Sequence, residues 1–174
     1  MKRRVLWILP VIVLVAGAYA RTLRANPANA GFVGKTLAMA TFDELGVNLH
    51  TIPANIWQLR LKTQGLSDLY VQSNSWQPGG STGWHTHPGP SLVIITSGTV
   101  TAYEGDDPSC TPHVYSALPG FPNRFVDEGG GHVHLVRNED PSVPAAGIAV
   151  QLIPSTATRR IDAAPTGNCP VSVN

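Results

Sequence analysis

The sequence predicts an all-β domain of the sandwich or barrel type. Two observations carry this. Short runs of alternating apolar and polar residues recur between Gly, Pro, Asn and Asp clusters, and no helical period lasts beyond a turn or two. A chain of 174 residues holds one such domain with tails at its ends. Strands without crossover helices pair antiparallel and close as two packed sheets or a barrel.

The N-terminus reads apart from the rest. Lys2, Arg3 and Arg4 precede an apolar run over residues 5–18, and Ala18-Tyr19-Ala20 offers small residues at the −3 and −1 positions of a cleavage site. This is the layout of a secretory signal peptide over residues 1–20, with an uncleaved membrane-anchor helix as the alternative. Residues 21–30 form a flexible lead-in. The domain proper spans residues 31–154. Within it, residues 56–63, 69–76, 91–96, 99–104, 114–117, 124–127, 132–137 and 147–153 read as strands, and Ser97-Gly98 reads as a hairpin turn. The Pro-, Ala- and Thr-rich segment 155–174 reads as an irregular tail.

Loss of the first twenty residues leaves nine of the twelve basic side chains against eleven acidic ones. No basic patch of the kind nucleic acid requires is present, which excludes that partner; a membrane enters only through the N-terminal segment if it stays uncleaved. Cys110 and Cys169 are the two cysteines. In an exported chain an even, small count favours a disulfide between them, which ties the tail back to the domain.

Chemistry concentrates at Gly79-Gly-Ser-Thr-Gly-Trp-His85-Thr-His87 and at Gly131-His132-Val-His134. Residues two apart on a strand share a face, so His85 and His87 aim two imidazoles at one point, with Trp84 facing away. A histidine on a second strand completes a set of ligands suited to a transition metal. His50 and His113 have no such pattern around them.

The spacing resembles that of the cupin superfamily. Gly79, five residues, His85, one residue, His87, three residues, position 91, six residues and Gly98 follow the first cupin motif, with Ser91 where the motif has glutamate. Gly131, His134 and Asn138 follow the last half of the second motif, with Gly129 in place of its proline and Asn123 in place of its first glycine. The likeness covers residues 56–153. It implies a cupin jelly-roll barrel of two antiparallel sheets and a divalent transition metal (iron, manganese, zinc, nickel or copper) held by His85, His87 and His134. His132 shares the face of His134, so either is a candidate third ligand and both are candidates to line the cavity; the motif spacing favours His134. Asn138 takes a structural role, bonding backbone groups near the next turn.

Without the motif carboxylate, three histidines leave open coordination positions and one more positive charge, which favours an anionic co-ligand. Asp127 or Glu128 is a candidate to supply the missing carboxylate from outside the motif. The resemblance implies a small-molecule ligand or substrate and, for an enzyme, a non-haem oxidoreductase of the dioxygenase type. A non-catalytic cupin that captures a small ligand or metal is the alternative. A homodimer follows by analogy only.

Overall fold

The computed structural model describes residues 30–51 and 57–171. The signal or anchor segment and the lead-in up to residue 29 lie outside the described residues. Twelve strands follow in order: β1 (Phe32–Phe42), β2 (Gly46–His50), β3 (Gln58–Lys62), β4 (Ser67–Trp76), β5 (His85–Thr86), β6 (Ser91–Ser97), β7 (Thr99–Glu104), β8 (His113–Ser116), β9 (Arg124–Asp127), β10 (His134–Arg137), β11 (Ala145–Pro154) and β12 (Ile161–Asp162). One five-stranded sheet runs β1-β4-β11-β6-β9 and a second runs β12-β5-β10-β7-β8, with every pairing antiparallel. Strands β2 and β3 form a separate hairpin.

Side-chain alternation sets what faces inward. On β6, Val93 and Ile95 are buried while Leu92 and Ile94 are exposed, as a strand with one covered face requires. Trp76, Val93, Ile95, Val100, Ala102 and Val136 pack into one core cluster drawn from both sheets. Fully burying a side chain such as Val100 contributes about 1.5–3 kcal/mol.

A second cluster lies on the outer face of the second sheet. Leu135 precedes Val136 and therefore points the other way, where it meets Trp84 and Cys169. All three are buried, and Ala163 and Val171 of the C-terminal segment pack against them. The Cys110–Cys169 disulfide, which joins positions 59 apart in the sequence, fastens that segment down. Trp84 thus does face away from His85, but into a covered core.

Two expectations change in the structure. Ser97-Gly98 does not close a hairpin within one sheet, because β6 lies in the first sheet and β7 in the second. The chain turns from layer to layer there, at a glycine with φ 67°. The tail is not irregular throughout either. Ile161 pairs with Thr86 and Asp162 with His85, so β12 completes the second sheet beside the histidine strand. β1 and β2 carried no clear alternation signal, and sequence reasoning passed over both.

Candidate metal centre

Each imidazole is delivered by local structure that the sequence specifies. β10 pairs with β5 so that His134 stands directly opposite His85. His87 follows two residues after His85, at the entrance to Pro88-Gly89-Pro90. One nitrogen from each of these three rings lies within 4.8 Å of the others, and their centroids are 4.3 to 5.3 Å apart. Each residue of the expected triad is therefore in one cluster.

The rings are held in a ligating orientation. His85 Nδ1 donates to the Gly83 carbonyl at 2.9 Å, which turns its Nε2 lone pair away from Gly83. His87 Nδ1 lies 2.8 Å from the Arg159 carbonyl and 2.8 Å from Gln151 Nε2, so an acceptor and a donor flank it and either tautomer is satisfied. His134 Nδ1 is buried without a hydrogen-bond partner. Burial holds His85 well below the usual imidazole range, helped by the charges of His134, Arg160 and His87. Burial likewise brings His134 down to about 4, against the pull of Asp127. Both rings are neutral at physiological pH, the form that donates a lone pair.

Sequence reasoning gave little weight to a neighbour that the fold brings into this cluster. Asp127, on β9, is the cross-strand partner of Ser91 on β6. Its Oδ2 lies 3.1 Å from His87 Nε2 and 3.3 Å from His134 Nε2. Glycine makes this approach possible. Gly129 has φ 67°, and a Cβ there would strike the Gly89 carbonyl, while the Gly130 N–H donates to the His87 carbonyl at 2.8 Å. The β9–β10 turn is thereby seated on the exit from His87. Ser91 itself, buried, accepts a hydrogen bond from Gln151 Nε2 at 3.2 Å.

His132 lies apart from the cluster. Its ring contacts Asp106 at 3.0 Å and Glu104 at 3.4 Å near the surface. Burial works to lower its pKa, but these two carboxylates outweigh it and raise the pKa above the ordinary value. Glu128 is exposed. Asn138 is fully buried and donates to the Val143 and Gln77 carbonyls, in the structural role expected of it.

The histidines open onto a cavity of about 280 Å³ between the two sheets, with Trp76, Val93 and Phe125 in its apolar wall. The C-terminal segment adds Arg159 and Arg160 to the lining, beyond the domain limit read from the sequence. Arg159 bonds Gln151 and Thr36 at 3.2 and 2.9 Å, bonds Gln72, and stacks 4.1 Å over Tyr70, so these partners are all neutral. Arg160 pairs with Asp162 at 2.7 Å and donates to the Thr82 carbonyl.

No family model and no curated protein matches the sequence. Among solved structures, the chain is similar to a cupin-like protein from Thermotoga maritima, at 16% identity and a TM-score of 0.50, over 79% of this chain and 80% of that one.

The fold is the cupin fold.

More remote likenesses are a protein with a double-stranded β-helix domain from Klebsiella pneumoniae (18% identity, TM-score 0.41, 69% and 80% of the two chains) and the DMSP lyase DddQ from Ruegeria pomeroyi (18%, 0.44, 57% and 45%). Within this fold the donor set fits a divalent transition metal. Three imidazoles converge from two strands and the loop after them, two of them are held neutral by burial, and a carboxylate oxygen is buried beside them without a hydrogen-bond partner. The disulfide is the form expected of a protein outside the reducing cytosol. Among the described residues, no helix is long and apolar enough to cross a membrane.

Proposed function

We propose that this chain is an exported cupin that holds a divalent transition metal through His85, His87 and His134 and acts on a small anionic molecule in the adjoining cavity, as a non-haem oxidoreductase of the dioxygenase type. The observation that carries the reading is the convergence of the three imidazoles at the wall of a 280 Å³ cavity, large enough for a small organic acid or enolate. When bound, such a metal supplies open coordination positions for oxygen and substrate together.

The protein's own groups do the rest. The carbonyls of Gly83 and Arg159 orient two of the rings. Trp76, Val93 and Phe125 exclude water from one side of the cavity. Arg159, whose charge meets only neutral partners among its contacts, favours a substrate carrying negative charge. Metal analysis of protein purified from the cell envelope, followed by oxygen uptake over a panel of small carboxylates, enolic compounds and thiols, tests the reading. Stoichiometric metal lost in His85→Ala/His87→Ala, with turnover, supports it. Metal without turnover on any compound makes this a binding protein. Absence of metal overturns both. N-terminal sequencing of the mature protein tests export, with Arg21 expected as the first residue.

A further inference from the structure

We propose that Asp127 is the fourth ligand of this centre, a carboxylate moved across the sheet to replace the glutamate that the motif places at position 91. The proposal rests on the metal reading above and adds a ligand to it.

The argument is geometric. Two donor atoms bound to one metal at about 2.1 Å stand about 3.0 Å apart at right angles and about 3.4 Å apart at the tetrahedral angle. The distances from Asp127 Oδ2 to His87 Nε2 and His134 Nε2, 3.1 and 3.3 Å, fall between these limits. They correspond to angles of about 95° and about 105° at the metal. A carboxylate and imidazole bonded directly to each other would show an aligned hydrogen bond instead. Oδ2 is buried and makes none, although both nitrogens are at contact distance.

The carboxylate is also fixed in place. Oδ1 accepts the Gly129 N–H at 3.0 Å, which leaves Oδ2 to face the cluster. The register explains the relocation. Ser91 and Asp127 are directly opposite one another on β6 and β9, and both line the cavity. Cross-strand partners present their Cβ atoms about 5 Å apart, so a short acid on β9 can reach the point that a longer acid on β6 would reach. The ligand set becomes three imidazoles and one carboxylate, and the extra positive charge expected of a bare triad is removed. The preference for an anionic substrate then rests on Arg159 alone.

The test measures Zn²⁺ affinity by competition with a chromophoric chelator, on the disulfide-bonded protein. Four proteins are compared: wild type, Asp127→Asn, Ser91→Glu/Asp127→Asn, and His85→Ala. Asp127→Asn keeps the shape of the side chain and the Gly129 contact. It should weaken Zn²⁺ binding by at least about a hundredfold, beyond the 10–100-fold that loss of an outer partner costs. Restoring the acid from position 91 in Ser91→Glu/Asp127→Asn should recover at least tenfold of that loss, which a merely structural role for Asp127 would not produce. An Asp127→Asn affinity within threefold of wild type, or no recovery in the double variant, overturns the proposal. His85→Ala separates the two levels. If it binds Zn²⁺ as tightly as wild type, the metal reading itself fails; if it loses Zn²⁺ while Asp127→Asn does not, only the fourth ligand is wrong.

Discussion

Replacing both cysteines, in Cys110→Ala/Cys169→Ala, frees the C-terminal segment from the domain. The bond closes a loop of 59 residues, and in the chain-entropy description opening such a loop costs about 4 kcal/mol of stability. Packing adds little, because alanine fills most of the space of the buried Cys169 beside Trp84 and Leu135. For a chain of this size, 1 kcal/mol moves the melting midpoint by about 2–4 °C, so the double variant should melt about 8–16 °C lower. The assay is thermal unfolding at pH 7 in chelator, followed by circular dichroism in the far ultraviolet and by the near-ultraviolet signal of the aromatic side chains. Wild type in reductant should approach the variant. A midpoint within 3 °C of wild type would refute the reasoning, since it would mean that β12 and its contacts hold the segment unaided.

Three further outcomes are expected. Metal-free protein should lose stability as pH falls from about 6.5 to about 4: the unfolded chain takes up a proton on His134 at its ordinary pKa while the folded chain resists until about 4, a difference worth about 3 kcal/mol. The elevated pKa of His132 acts in the opposite sense but near the surface, where its pairs are weak, so a urea midpoint that stays flat or rises over this window contradicts the assignment of a buried, neutral His134. Gly129→Ala should destabilise the fold by at least about 2 kcal/mol, through its positive φ and its clash with Gly89, and should weaken Zn²⁺ binding; unchanged affinity would detach the turn from the site. Asn138→Ala should cost about 2–4 kcal/mol in a denaturant titration, because it strips hydrogen bonds from the Val143 and Gln77 carbonyls in a fully buried position; a loss under 1 kcal/mol would show that those carbonyls find other partners.

Much of the fold was legible because period-2 alternation marks a strand with one covered face. β7 and β9 match their sequence boundaries, and β4, β6 and β11 are within a few residues of theirs. β1 was not legible: ten of its eleven residues are exposed, so burial imposed no alternation on it. The histidines were found because spacing along a strand fixes direction. Asp127 was harder to recognise because its relevance depends on which strand lies beside β6, and register between strands distant in sequence leaves no local mark. Arg159 and β12 escaped for a related reason, since a Pro- and Ala-rich stretch gives no sign that a disulfide presses it against the barrel.

With Asp127 as fourth ligand, the donors would come from both layers of the sandwich. His85 and His134 belong to the sheet with β5 and β10, whereas Asp127 belongs to the sheet with β9. An ion at this point would act as a rivet between the two layers, and the layers could not separate without releasing it. Durability would then track the surroundings: at a free metal concentration a thousand times the dissociation constant, the folded state gains about 4 kcal/mol, and in metal-poor fluid that gain disappears. The same protein would be long-lived in one medium and short-lived in another with no change in its covalent structure.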